Sequence, residues 1–235
     1  TTLAISGAIS RFAEDLARAN GASAAISLRA TRYFDIIRVH DQIATMLGFL
    51  ACLVVLLVAG MGLAREREMG TLEQLLVAPL GRLELLVGKA MPALLVGVAN
   101  FWVLWAAGRL VWDMPTRGSL ALLFGLAVLF FLAESAWGLC LSALSANQQQ
   151  ATQLTFVQIL VDLSFCGYIV PVENLPRFLS WFSELLPLRH YLVCIRTIML
   201  RGGGFSAVLP HALALIGLNI AMWILSILVL RQRLD

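Results

Sequence analysis

The sequence has few charged residues. Only 13% of its 235 residues are Asp, Glu, Lys or Arg, and Lys89 is the only lysine. A soluble domain usually carries about 25% charged and about 45–50% apolar residues, whereas 60% of this chain is apolar. The formal net charge of +3 gives no basic surface of the kind that binds nucleic acid. The sequence therefore predicts a membrane protein with no nucleic-acid partner.

Enzymatic and nucleotide-binding motifs are also absent. The phosphate-binding pattern G-x-x-x-x-G-K-[ST] is missing, because the sequence around Lys89 lacks the first glycine and the hydroxyl residue. There is no HExxH zinc motif, and His40, His190 and His211 are scattered along the chain. No GxSxG nucleophile motif occurs. We therefore expect no enzyme, no bound cofactor and no metal in this chain.

The four cysteines form no CxxC pair, and most of them lie inside apolar runs. We interpret them as small hydrophobic side chains rather than as disulfides or metal ligands. They are Cys52, Cys140, Cys166 and Cys194.

Long apolar runs dominate the sequence. A helix needs about 20 apolar residues to cross the hydrocarbon core of a bilayer, which is about 30 Å thick. Five runs meet this length and predict an all-α membrane protein. Residues 1–42 are interpreted as the tail of a water-exposed domain, with a short strand at 24–28. The predicted spans lie at about 43–64, 85–108, 118–141, 151–170 and 207–230.

The segment between the first two predicted spans reads REREMGTLEQLLVAP at positions 65–79. The charges end the first span, Gly70 breaks the helix, and Thr71 with Gln74 fits a capping box. Three leucines share one face, so an amphipathic helix is predicted at about 71–78, on the membrane surface and closed by Pro79. The charged residues before it are either a solvated flank or part of a lever for a soluble partner.

Two further short helices are predicted between the last two spans, at about 174–186 and 188–200. Pro187 separates them, and the glycines at 202–204 end the second. Neither is long enough to cross a bilayer. They are interpreted as interfacial or re-entrant helices packed against protein.

Two acidic residues, Glu134 and Asp162, lie inside predicted spans. Thr155 and Gln158 fall on the same helical face as Asp162 and complete a polar stripe. Acidic residues inside a membrane are costly and indicate function by default. These four residues are a candidate substrate path or proton-linked site, and the alternative is hydrogen bonding between helices.

The run at 65–79, followed by ELLVGK at 84–89, resembles the ABC-2 permease family, whose members carry a similar E-R/K-E-x-G-T-x-E-x-L-L-x-x-P linker. The resemblance includes NQQQATQ at 147–153 and LPRFLSWFSELLPLRHYL at 175–192. It implies an ABC-2 (type V exporter-like) transmembrane domain at 43–235, with five of six spans present. It also implies a coupling helix and paired re-entrant extracytoplasmic helices, with residues 1–42 as the tail of an extracytoplasmic domain.

The resemblance also implies a function. The chain would be the permease subunit of an ATP-driven exporter in a bacterial inner membrane, moving a drug-like, lipid or other amphiphilic substrate out of the cytoplasm. ATP and Mg²⁺ would belong to a partner ABC ATPase, and a second permease copy or homologue would complete a dimer in the lipid bilayer. The residues implied to transmit motion from the ATPase are Arg65, Glu66, Arg67, Glu68, Gly70, Thr71, Glu73, Gln74 and Pro79.

Two other protein classes remain open from the residues themselves. One is a non-transporting membrane scaffold or assembly factor. The other is an intramembrane enzyme, for which Glu134 and Asp162 are the acidic residues within the spans. The resemblance favours the exporter over both.

Overall fold

The computed structural model describes residues 25–71, 81–168 and 176–234. Within these ranges the chain forms helices and no strand. A π-helical turn, Arg196–Leu200, continues the seventh helix. The helices are α1 Ala25–Gly60, α2 Gly62–Glu68, α3 Arg82–Trp112, α4 Leu120–Leu144, α5 Gln148–Phe165, α6 Arg177–Ser183, α7 Pro187–Ile195 and α8 Phe205–Leu234.

Four segments of the described residues are long and apolar enough to cross a membrane. They correspond to the first, second, third and fifth predicted spans, so the predicted all-helical membrane fold is confirmed. The segments are His40–Glu68 in α1 and α2, Leu83–Trp112 in α3, Leu120–Leu144 in α4 and Phe205–Arg231 in α8.

The fourth predicted span, at about 151–170, is not among these four segments. Its helix, α5, has 18 residues and ends at Phe165. Glutamine and threonine side chains fill its first turns, and Asp162 lies near its end, so the apolar stretch is short. The described residues therefore do not confirm a count of five spans.

The chain divides into two compact units, Thr1–Gln42 and Ile43–Asp235. The predicted strand at 24–28 is wrong, because the chain is helical from Ala25 onward. A short, mostly apolar segment does not distinguish a strand from a helix, and here all but its first residue belongs to a helix of 36 residues. Residues 1–24 lie outside the described residues, so the extracytoplasmic tail stays a prediction.

Helix α4 lies at the centre of the second unit and contacts α2, α3, α5, α7 and α8. Its Phe130 stacks on Tyr191 of α7, with ring centroids 4.4 Å apart. Its Gly138 lies against α1, where an added Cβ would be 2.6 Å from the Cβ of Ala59. Small residues at helix crossings allow close backbone approach inside membranes. The glycine therefore allows the α1–α4 contact.

The two short helices after α5 are α6 and α7. Pro187 is the first residue of α7, a position where its missing N–H has no helical partner to lose. Phe178 and Trp181 of α6 are exposed. With 7 and 9 residues, neither helix can span a bilayer. Their re-entrant placement at the extracytoplasmic side stays a prediction.

Candidate functional site

The charged turn, defined as residues 65–68, forms the end of α2. Met61 interrupts the helix between α1 and α2. The backbone N–H groups of Leu63 and Ala64 are among those at a helix start that have no partner within the helix. The Oγ of Ser142 in α4 accepts hydrogen bonds from both nitrogens, at 3.0 and 2.9 Å. A side chain of α4 therefore caps α2.

Arg67 of the charged turn binds the carboxyl end of α4. Its Nη1 and Nη2 donate to the carbonyl oxygen of Ala143 at 3.4 and 3.3 Å, and Nη1 also donates to the carbonyl oxygen of Ser145. The last carbonyls of a helix lack helical partners and lie at the negative end of its dipole. The guanidinium group supplies both the missing donors and the favourable charge.

Glu68 binds the amino end of α5. Its Oε2 accepts from the backbone nitrogen of Gln148 at 3.0 Å and from the side-chain Nε2 of the same residue at 3.1 Å. Asn147 caps this helix, accepting from the backbone nitrogen of Gln150 at 2.8 Å. A carboxylate is favourable at the positive end of a helix dipole. The segment at 147–153 is therefore a capped helix start that contacts the charged turn.

Glu66 connects the charged turn to α3. Its carboxylate accepts from the Nζ of Lys89 and from the hydroxyl of Thr71. The turn is thus bonded to α3, α4 and α5, which a purely solvated flank would not be. Arg65 is the exposed basic residue of the turn.

The described residues reach only the beginning of the predicted coupling helix. The charged turn is followed by Gly70, whose φ of +70° lies in the left-handed region that favours glycine. Thr71 is described, whereas Glu73, Gln74 and Pro79 lie outside the described residues. The predicted capping box and the helix at 71–78 therefore stay predictions.

A second group of polar side chains lies inside the helix bundle. We call Cys52, Glu134 and Asp162 the buried acid cluster. They come from α1, α4 and α5, and each is at most 1% exposed. One ligand atom from each residue lies within 4.8 Å of the other two. The Sγ of Cys52 donates to Oδ2 of Asp162 at 4.0 Å.

The predicted polar stripe of α5 faces this cluster. Nε2 of Gln158 donates to Oδ1 of Asp162 at 3.0 Å. Thr155 is buried too, but its hydroxyl donates to the carbonyl oxygen of Ala151 in its own helix, at 2.8 Å. The structure therefore brings Glu134, Gln158 and Asp162 together, whereas Thr155 uses its hydroxyl locally.

Cys52 is a cluster member that the sequence interpretation missed. It is 110 residues from Asp162 along the chain, and no CxxC or similar spacing accompanies it. Its only signal is its place in the middle of a predicted span. Treating it as a small hydrophobic residue fitted the local sequence but not the tertiary contact.

Two histidines that are far apart in the sequence also meet. Nδ1 of His190 in α7 lies 3.1 Å from Nδ1 of His211 in α8, and Nε2 of His190 lies 3.0 Å from the carbonyl oxygen of Glu184. Arg189 forms an ion pair with Glu184 at 2.6 Å. This histidine pair lies on other helices than the buried acid cluster.

Comparison with known proteins identifies several relatives. The chain is 34% identical over 166 residues to the "Probable multidrug ABC transporter permease YbhR" of Escherichia coli (strain K12), covering 71% of this chain and 45% of that protein. It is 28% identical over 182 residues to the "Inner membrane transport permease YhhJ" of the same organism, covering 77% and 48%. The chain spans about half the length of these curated relatives.

A more distant relative is the "ABC transporter G family member 20" of Dictyostelium discoideum, which is 30% identical over 125 residues, or 53% of this chain and 16% of that protein. The sequence model of the ABC-2 type transporter family matches residues 18–200, which is well over half of the chain. The helical membrane fold agrees with this match. The chain is a multi-pass membrane protein that belongs to the ABC-2 type transporter family.

Proposed function

We propose that the chain is the permease part of an ATP-driven exporter of drug-like, lipid or other amphiphilic molecules. The proposal rests on family membership and on relatives whose names describe them as permeases, one of them a probable multidrug permease. An ABC ATPase, separate or fused, would bind ATP and Mg²⁺ and supply the energy. A second permease copy or homologue would complete the transporter in a bacterial inner membrane.

The observation that carries the proposed coupling is the bonding of the charged turn. Arg67 holds the end of α4, Glu68 holds the start of α5, and Glu66 holds Lys89 of α3. A displacement of the turn by an ATPase would therefore act on three helices together. Coupling free energies of about 1–3 kcal/mol between two sites are typical of allosteric proteins. The residues at 65–79 would form the surface that receives the ATPase.

The proposed function can be tested on the full-length protein purified from its native membrane. We expect an ABC ATPase to copurify or to form part of the same polypeptide. In inverted membrane vesicles, ATP should drive uptake of an amphiphilic fluorescent dye, and vesicles without the chain should show no such uptake. A purified complex with no ABC ATPase, and vesicles with no ATP-dependent uptake, would instead support a scaffold.

Arg67→Ala should reduce ATP-driven dye transport by about tenfold, because a hydrogen bond to a charged group contributes about 1.5–3 kcal/mol and Arg67 is partly exposed. ATP hydrolysis should become less dependent on the transported dye. The matched control is Arg109→Ala. It removes a hydrogen bond of 3.1 Å from the guanidinium group to the carbonyl oxygen of Met114, near the end of α3, whereas the charged turn contacts α3 near its start. Equal transport by the two variants at equal protein levels would contradict the coupling role.

We also propose that Thr155, Gln158, Asp162 and Glu134 border the substrate path. The support is that Gln158, Asp162 and Glu134 converge inside the bundle, where acidic residues are costly. Asp162→Asn should change the rate of dye export several-fold at unchanged protein stability. Asp162→Ala should lower both quantities. Export and stability that are unchanged in both variants would indicate a structural role alone.

A further inference from the structure

The buried acid cluster has the geometry of an ion-binding site. Its three ligand atoms come from three helices and lie within 4.8 Å of one another, with the Sγ of Cys52 4.0 Å from Oδ2 of Asp162. A tetrahedral zinc ion holds sulfur and oxygen ligands about 3.5 Å apart, because Zn–S bonds are about 2.3 Å and Zn–O bonds about 2.0–2.2 Å long. Small side-chain shifts would therefore bring the three atoms to metal-ligand distances.

Glu134 supplies an independent indication. It is 1% exposed, and neither of its carboxylate oxygens has a nitrogen or oxygen hydrogen-bond partner among the described residues; the thiol of Cys52 is a weak donor beside it. Both oxygens are buried, and one of them lies within 4.8 Å of the ligand atoms of Cys52 and Asp162. An unpaired buried carboxyl group is costly, and such groups in proteins usually have a partner or coordinate a metal. Glu134 therefore lacks a strong hydrogen-bond partner at the point where an ion would fit.

The cluster can supply anionic ligands to a cation. A bound divalent ion would favour the ionised forms of the thiol and of both carboxyl groups, whose three negative charges it would reduce to one. The hydrogen-bond partners of Asp162 among the described side chains are Gln158 and Cys52, neither of which is basic. A thiolate together with carboxylates suits a borderline ion such as Zn²⁺ better than Mg²⁺ or Ca²⁺, which select oxygen ligands.

We propose that Cys52, Glu134 and Asp162 bind one divalent ion of the zinc class between α1, α4 and α5. Gln158 holds the carboxylate of Asp162 from outside, as residues around a metal site commonly do. Three protein ligands leave the fourth tetrahedral position open to water or to another ligand. Binding displaces the thiol proton of Cys52 and any proton held by the two carboxyl groups, and these protons pass to water. This site shares Glu134, Gln158 and Asp162 with the proposed substrate path, but metal binding is a further property that can be measured without transport.

The direct test is metal binding by the full-length chain purified in detergent. The protein is stripped with EDTA, equilibrated with limiting Zn²⁺ and desalted, and the bound metal is counted by mass spectrometry. We expect about one Zn²⁺ per chain. Replacement of Zn²⁺ by Co²⁺ should give the near-ultraviolet thiolate-to-cobalt absorption band, which requires a cysteine ligand. A chain that retains no stoichiometric Zn²⁺ overturns the proposal.

Substitutions of the three proposed ligands test whether the ion binds at the buried acid cluster. Cys52→Ala, Glu134→Gln and Asp162→Asn should each weaken Zn²⁺ binding by at least about 100-fold, because even residues outside the ligand set change affinity by about 10–100-fold. Cys140→Ala is the matched control, since Cys140 is equally buried but outside the cluster. Size-exclusion profiles and helical circular dichroism establish that each variant is folded.

The histidine pair, His190 and His211, is the alternative place where a Zn²⁺ ion could bind. His211→Ala should leave Zn²⁺ binding and the cobalt band unchanged. Loss of the metal in His211→Ala with retention in Cys52→Ala would overturn the proposal, as would a Co²⁺ spectrum without the thiolate band. Failure of ATP-dependent export with normal metal binding would overturn the proposed function and leave the metal site standing.

Discussion

Gly138→Leu is expected to prevent the membrane domain from folding, and Gly138→Ala to destabilise it by about 1–3 kcal/mol. An added Cβ at this position of α4 would lie 2.6 Å from the Cβ of Ala59, 3.0 Å from the backbone nitrogen of Gly60 and 3.1 Å from the carbonyl oxygen of Leu56. Two of these atoms belong to the backbone of α1, so no change of side-chain rotamer can relieve the overlap. The helices would have to separate along the crossing.

The measurement is unfolding of the detergent-solubilised protein by heat or by SDS, followed by tryptophan fluorescence. Gly125→Ala is the matched control, because it lies on the same helix and no atom comes within 4 Å of an added Cβ. Alanine is a better helix former than glycine by roughly 0.5–1 kcal/mol, so this variant should be as stable as the parent or slightly more stable. Equal destabilisation at both positions would be incompatible with the α1–α4 crossing described here.

Ser142→Ala is expected to lower the free energy of unfolding by about 2–6 kcal/mol, since two buried N–H groups lose their acceptor and each costs about 1–3 kcal/mol. Those groups belong to Leu63 and Ala64 at the start of α2. The side chains of serine and alanine differ by little more than the hydroxyl group, so loss of packing contributes little. Amide exchange of residues 62–68 should accelerate in this variant, because α2 loses its cap.

Ser135→Ala is the matched control for this prediction. Ser135 is also buried in α4, but its hydroxyl donates to the carbonyl oxygen of Leu132 in its own helix, at 2.9 Å. Its loss should cost less than about 1 kcal/mol and should leave exchange in α2 unchanged. If both serine variants behave alike in stability and in exchange, Ser142 does not cap α2.

The sequence predicts an element well when the residues of that element alone carry the signal. Apolar length alone predicts the four segments that can cross a membrane, because the bilayer sets a minimum helix length that is visible in the sequence. The fourth predicted span stays a prediction, because α5 ends at Phe165 and is not among these four segments; its first residue, Gln148, bonds to Glu68 of the charged turn. The error at 24–28 arises because five residues are too few to show the period of a helix.

The sites are less predictable because they depend on contacts between distant segments. The charged turn is visible as a sequence motif, but its partners at the end of α4 and one of those in α5 are backbone groups, which carry no signal in the residue type. Ser142 is 79 residues from Leu63 along the chain, and Cys52 is 110 residues from Asp162. Glu134 and Asp162 stand out in the sequence as acidic residues in apolar runs, whereas Cys52 does not stand out among the other cysteines.

The Ser142 cap shows that α2 is hydrogen-bonded to helices other than the one that precedes it in the sequence. Helix α2 follows α1 in sequence, but the helical hydrogen bonding is interrupted at Met61. Its first N–H groups bond to α4, and its last side chains bond to α3, α4 and α5. A load applied at the charged turn therefore reaches those three helices through direct bonds, and it reaches α1 through the backbone at residue 61 and through the α1–α4 contact at Gly138. Residue 61 thus marks the point past which the first N–H groups of α2 depend on a side chain of α4 rather than on carbonyl groups of α1.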